Sequence, residues 1–424
     1  MPVQIGPKKK IAFVCSGGAT KAGAFHLGVA LALQEQGFKF YGGLGSDSSH
    51  LPGHPRSRPP GPMEISTYVG SSAGAIISTY LAAGYSLDNI FSSFLGKNSS
   101  EHDLAGLFPK PLPRLTYQKM FKLRSTFEKN QISQLTRLRK TISELVEGNW
   151  ESLVQFKWLK ATGIFSTSGL EQYMREEVLL SNRFQDYAAD LFIVATQLNH
   201  SRKVIFGKQS YQPPPHDLTC QYNNDIGISD ACAASTALPI IFSPHPIRGE
   251  NGEVTHFIDG EIRDTLSTHV AVDSGADLVI ASYTHQPYHG VNGLESLTDH
   301  GLPAIAIQSI YLLIEQKIKN HIHNKEIQRN AIQTVSDYCK TEGISEHHRH
   351  QICGLLEKQL HHRMDVETIY IHPKPTDKQL FLGEHFSFAP KKMAETVKSG
   401  FRAAIETLRK YDFADRQKRR QICE

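Results

Sequence analysis

The stretch YVGSSAGAIISTY, residues 68–80, sets two adjacent serines among glycine and alanine at the end of an apolar run. Only one frame fits G-x-S-x-G, with Gly70 first, Ser72 central and Gly74 last, so Ser72 rather than Ser71 is the candidate nucleophile. The physical content of that motif is a sharp strand-to-helix turn holding one side chain strained and exposed, which requires small neighbours. The flanks suit it. Ile65 to Val69 is β-branched and aromatic, as in a short buried strand, while Ala73 to Ala83 is apolar nearly all round and stops at Gly84, as a buried helix would. Ordinary tight strand-helix junctions also collect Gly, Ser and Ala, so catalysis at Ser72 requires a base and an anion-receiving loop elsewhere in the chain.

Length and composition bound the setting. A chain of 424 residues can bury the core of one large or two ordinary domains. With 46 basic and 42 acidic residues the charge is nearly balanced, which points away from a nucleic-acid partner. Six cysteines without a C-x-x-C pair suit a reducing compartment, or a secreted protein that ignores its thiols. The opening PKKKIAFVC mimics a signal peptide, but its apolar run is shorter than an h-region and reads as the first strand. No run approaches the ~18 apolar residues of a membrane span, so membrane contact is expected to be peripheral. The expected location is cytoplasmic or at a membrane periphery, with a non-classical route if the protein is exported.

Strands alternate with helices over the first 300 residues: KIAFVCS, then the helix AGAFHLGVALALQEQGF ending at Gly37, then DLFIVATQL, KVIFG and DLVIAS, with ETIYIHP as a late strand. Alternation of this kind predicts an α/β fold, a mainly parallel sheet covered by helices on both faces. Residues 42–62 are a Gly/Pro/Ser-rich loop insertion, and 100–160 a charged helical cap. Residues 301–365 read as a helical insertion, with Ile307, Tyr311, Ile314, Ile318 and Ile322 at helical spacing, before a closing strand and helix over 366–412 and a basic tail over 413–424. Its histidines, among them His321, His323, His347, His348, His350, His361 and His362, specify no closed four-ligand set, so they read as a solvated face rather than a metal site.

A second signal lies upstream in CSGGATKAGAFHLG, residues 15–28, where Gly17, Gly18 and Gly23 stand between the first strand and the first helix. Free N–H groups and the positive helix end can stabilise an anion there. Neither G-x-x-x-x-G-K-[ST] nor G-x-G-x-x-G can be threaded through it, so no nucleotide cofactor is indicated. What remains is a glycine-lined nest able to receive an oxyanion, which a serine acyl-transfer enzyme requires. The third signal is FIDGEIRD, residues 257–264, in which an apolar strand end presents Asp259 beside Gly260.

The glycine loop, the G-x-S-x-G elbow, the A-x-x-A-S-x-A-x-P stretch from Ala231 to Pro239 and the D-G dipeptide occur in the order found in patatin-like phospholipases, which the chain resembles over about residues 8–285 and again after 366. The resemblance implies a three-layer α/β/α sandwich with a mainly parallel central sheet, a catalytic domain over 8–300 closed by 366–412, and hydrolysis of phospholipid or other acyl-ester lipid without metal or cofactor. It further implies that Ser72 is the nucleophile, Asp259 the base of a Ser-Asp dyad, and the N–H groups around Gly17, Gly18 and Ala19 the oxyanion hole, with Lys21 near a position usually held by Arg or Lys. A base of this kind works best with its pKa somewhat above that of a free carboxylate.

The sequence departs from the family pattern at two points. Ala19 stands for the third loop glycine with one extra residue before Gly23, and Glu261 follows Asp259-Gly260, so Glu261 or Asp264 could influence or replace the base. Two rival readings stay open: an α/β-hydrolase triad using His269, His285 or His289, and a lipid-binding protein with a dead oxyanion loop. Nine Lys or Arg against the single acid Glu128 over residues 110–140, followed by Trp150 and Trp158, suit a cap that docks on anionic membrane through Lys119, Lys122, Arg124, Arg137, Arg139 and Lys140.

Overall fold

The computed structural model describes residues 2–46, 58–96, 111–123, 163, 165–208, 219–239, 241–249, 251–290, 296–382 and 387–414. The centre of the expected 42–62 loop, the 100–160 cap apart from 111–123, and the tail beyond 414 lie outside these residues.

Among the described residues ten strands form one sheet: β1 (Ile11–Cys15), β2 (Lys39–Phe40), β3 (Glu64–Ser71), β4 (Asp190–Gln197), β5 (Arg202–Phe206), β6 (Cys220–Asn223), β7 (His245–Arg248), β8 (Val254–Asp259), β9 (Leu278–Ser282) and β10 (Glu367–Ile371). The main path runs β7-β8-β4-β3-β1-β9-β10, with β2 on β3, β5 on β4 and β6 on β5. Six of the nine pairings are parallel and the three antiparallel ones all involve β4 or β8, so the sheet is mostly parallel, as expected.

The helices used below are α1 (Ala19–Glu35), α2 (Ala73–Ala83), α3 (Ile228–Ser235), α4 (Thr268–Asp273), α5 (Gly301–Thr341), α6 (Glu346–Leu360) and α7 (Pro390–Leu408). Along β1, Ile11, Phe13 and Cys15 join one apolar cluster while Ala12 and Val14 join another; along β9, Leu278 and Ile280 alternate likewise with Val279 and Ala281. A strand points successive side chains to opposite faces. Both faces are apolar, so both need a helical cover. The first cluster draws in α1, α2, α3 and, through Met393, Val397 and Ala404, α7. The second takes Val270 and Ala271 of α4 with Ile314, Ile318 and Ile322 of α5. The fold is the three-layer α/β/α arrangement.

The segment 301–365 consists of the 41-residue α5, a turn at Gly343 with φ 71°, and α6. Of its apolar residues at helical spacing, Ile314, Ile318 and Ile322 lie on the sheet while Ile307 and Tyr311 pack with Tyr288 and Phe381, and no residue of α6 is buried. A short parallel pairing of Val3–Ile5 with Tyr411–Phe413 ties the two ends of the described chain together. Among the described residues, no helix is long and apolar enough to cross a membrane.

Candidate active site

Sheet register brings the site together. β3 lies along Asp190 to Val194 of β4, ending with Ser71 opposite Val194, and β8 continues along Ala195 to Gln197, ending with Asp259 opposite Ala195. The other edge of β4 is taken by β5. β3 and β8 therefore meet end to end, and the residues that finish them, Ser72 and Asp259, face a common point.

Ser72 sits at φ 51°, ψ −124° between β3 and α2. Such a backbone costs about 1–3 kcal/mol and persists only where its surroundings enforce it. Enforcement comes from close approach. A Cβ on Gly70 would fall 2.4 Å from the Gly74 carbonyl oxygen, and one on Gly74 would fall 2.2 Å from that of Cys15. The Ser72 N–H donates to Ser235 Oγ (2.8 Å), which donates in turn to the Val194 carbonyl (2.6 Å). The Asp259 N–H is bound by the Ala237 carbonyl at 3.0 Å. The Ala231 to Pro239 stretch thus holds the backbone of both Ser72 and Asp259. The sequence singled out this stretch without showing what Ser235 does in it.

Asp259 is 1% exposed. Its burial pushes the carboxyl up to about 6, against the opposing effect of hydrogen bonds from the Ser72 hydroxyl and the Glu261 N–H. The second of these reaches Asp259 Oδ1 at 2.9 Å. Such a group is ionised at neutral pH yet basic enough to take up a proton. The three histidines of the triad alternative engage other groups, with His285 beside Glu261 and the Gly18 loop. His269 is bound to Lys203 Nζ at 2.9 Å and lies 3.6 Å from Asp264, His289 donates its N–H to the Pro375 carbonyl at 2.9 Å, and His285 lies 3.8 Å from Glu261. Asp264 turns to Ser267 (2.9 Å) and Lys203 (3.4 Å).

The glycine loop runs directly beside this pair. A Cβ on Gly17 would meet Glu261 Cγ at 2.5 Å and Ser72 Cβ at 2.8 Å. Gly18 (φ 127°) and Ala19 (φ 58°) both take positive φ as they enter α1, a state that costs a non-glycine residue roughly 1–2 kcal/mol. Ala19 therefore keeps the left-handed geometry that its family glycine would adopt freely. The N–H groups opening α1 at Gly18 and Ala19, and α2 at Ala73, have no intrahelical acceptor and carry the positive helix ends. Two features escaped the sequence reading. His26 pins the loop, its ring bonded to the Ser16 carbonyl (2.8 Å) and Ser282 Oγ (2.7 Å), and burial pulls its pKa down to about 4, so it is neutral. The Gly17 N–H donates to Glu261 Oε1 at 2.7 Å. Lys21 points away from the loop, buried against the Leu380 carbonyl (2.9 Å), and burial lowers it to about 8.

A narrow apolar pocket opens where α1 and α2 begin, lined by Gly23, Ala73, Ile77, Tyr80, Phe94 and Met393 among others. Of the expected cap cations, Lys119 is paired with Glu177 at 2.5 Å and lies over the Tyr173 ring. Arg124, Arg137, Arg139, Lys140 and both tryptophans lie outside the described residues. Among the described residues no cluster of His, Cys, Asp and Glu could hold a metal ion.

A family model described as Patatin-like phospholipase matches residues 13–272, a span that includes the loop, the elbow and the D-G turn. No curated protein matches the chain.

Proposed function

The chain belongs to the patatin-like phospholipase family of lipid acyl hydrolases, and on that premise we propose that it cleaves fatty acyl esters of the phospholipase A or lysophospholipase type through an acyl-enzyme on Ser72 with Asp259 as base. The observation that carries this reading is the strained Ser72 beside a buried carboxylate whose ionisation its hydroxyl favours, with the adjacent Ala73 lining an apolar pocket.

In the forward step the Asp259 carboxylate takes the Ser72 hydroxyl proton as Oγ bonds to the ester carbonyl carbon, and the carbonyl electron pair moves onto oxygen. Of the expected Gly17, Gly18 and Ala19 donors, the N–H groups of Gly18 and Ala19 receive that oxyanion together with Ala73, the Gly17 N–H being taken by Glu261. When the carbonyl reforms, the ester C–O bond breaks and the Asp259 proton passes to the leaving alkoxide, releasing an alcohol. Water then gives a proton to Asp259 and attacks the acyl carbon. Collapse releases the fatty acid and returns the proton to Ser72. The pocket between α1 and α2 takes the acyl chain, with about 0.8 kcal/mol gained per buried methylene.

The test is release of fatty acid from a panel of phospholipids, lysophospholipids, triacylglycerols and short acyl esters. Wild type is expected to turn over at least one lipid ester, and Ser72→Ala none. Equal turnover by the two proteins would overturn the assignment.

A further inference from the structure

Glu261 stands where the three parts of the site meet. Its Oε1 accepts the Gly17 N–H at 2.7 Å and the Ser71 hydroxyl, while its own N–H donates to Asp259 Oδ1 at 2.9 Å. Its Oε2 is buried without a hydrogen-bond partner. The groups facing it are Asp259 and Asp264 from its own turn, whose charges both act against its ionisation, and His285 from the chain after β9, with Nδ1 3.8 Å from Oε2. Among the described residues no Lys or Arg pairs with it. Behind His285 stands the Tyr311 ring of α5, with Lys21 above that ring.

An ionised carboxylate spreads its charge over two oxygens and calls for donors on both. Here one oxygen takes two donors and the other none, which fits a carboxylic acid better than a carboxylate: Oε1 the carbonyl oxygen, Oε2 the hydroxyl, turned toward His285 Nδ1 at 3.8 Å. We propose that Glu261 works as a neutral carboxylic acid, a positioning residue that clasps the Gly17 loop to the Ser71-Ser72 elbow and the Asp259 turn without adding a second negative charge beside the forming oxyanion. Burial pushes its carboxyl up to about 8; the Ser71 bond opposes this and the Asp259 charge adds to it. Rising pH thus ionises Glu261, sets it against Asp259 and the oxyanion, and lowers activity. The inference rests on the Ser72-Asp259 reading and assigns a role to the residue at which the sequence departs from the family pattern.

The experiment compares wild type, Glu261→Gln and Glu261→Ala in kcat/KM on a soluble acyl ester from pH 5 to 10. It adds an infrared difference spectrum of wild type against Glu261→Gln at pH 6. Glutamine keeps the acceptor and replaces the hydroxyl with an amide donor, so Glu261→Gln is expected within about five-fold of wild type at pH 7 and without the alkaline fall. Glu261→Ala should lose at least about thirty-fold, short of the roughly 10²–10³ of a deleted oxyanion donor. The infrared difference should show a protonated carboxyl band that is absent from the variant. Lys21 also titrates near 8 but is unchanged in Glu261→Gln, so an alkaline fall that survives there would overturn the proposal. So would a missing carboxyl band, a glutamine variant as impaired as the alanine one, or an alanine variant more active than wild type. If Glu261→Ala does not fold, the pH profile and infrared band of Glu261→Gln still decide. A wild type inactive on every ester would refute the dyad reading instead, and the infrared arm would still read the protonation state.

Discussion

Asp259 and Asp264 stand on one turn and meet opposite surroundings. Asp259 ends β8 with 1% of its surface exposed, bonded to a serine hydroxyl and a backbone N–H, and burial pushes it up to about 6. Asp264 keeps 26% of its side chain exposed and faces Lys203 and His269. Burial raises it too, but His269, Lys203 and the Ser267 hydroxyl together outweigh that effect and hold it below the ordinary carboxylate range. The first is poised to take up a proton near neutral pH and the second is a fixed counter-ion. Four residues of chain separate the proposed base from the salt-bridged carboxylate, and the sheet register brings only Asp259 to the end of β3.

Exchanging the two roles is the strongest challenge to that contrast. Asp259→Asn is expected to lower kcat by at least roughly 10³, as loss of one member of a unit does, and to remove the acid limb of kcat/KM near 6, below which a protonated Asp259 accepts no proton. Asp264→Asn should cost less than about ten-fold and leave the limb in place, since its effect is on a salt-bridged turn. Steady-state kinetics of both variants against pH checks this, and an acid limb that moves with Asp264 would reverse the assignment.

Stability sharpens the comparison with smaller effects. Asp259 and Glu261 are raised in the folded state, so between about 4 and 8 the folded protein holds more protons than the unfolded chain, and stability falls as pH rises through that window. Asp264 is lowered, so its contribution is present above about 4 and is lost as pH falls through its folded value. Thermal unfolding should show the decline from pH 5 to 9 flattened in Glu261→Gln and the acid loss flattened in Asp264→Asn, each by a few degrees. An unchanged alkaline slope in Glu261→Gln would mean that Glu261 is already ionised.

The elements legible in the sequence are apolar runs: the short ones of β1, β3, β4, β9 and β10, and the longer one of α2 capped by its left-handed Gly84 at φ 96°. The short strands β6 and β7 were not, because four residues at a sheet edge carry little pattern. Ser72 was legible because a strained elbow needs glycine on both sides of it. Asp259 needed the family order of motifs, since an Asp-Gly pair alone is a turn. What stayed hidden depends on distant chain segments: Ser235 reaching the Ser72 N–H, His26 spanning Ser16 and Ser282, and Glu261 taking the Gly17 N–H. Glu261 could be flagged as a departure, but its partners could not be read from its neighbours.

The central claim, that Ser72 is the nucleophile and Asp259 activates it, is tested most directly by a fluorophosphonate probe followed by mass spectrometry of the modified peptide. The predicted result is one adduct on Ser72, kept in Ser71→Ala, absent in Ser72→Ala and formed far more slowly in Asp259→Asn. An adduct on another residue, or labelling of Asp259→Asn at the wild-type rate, would contradict it.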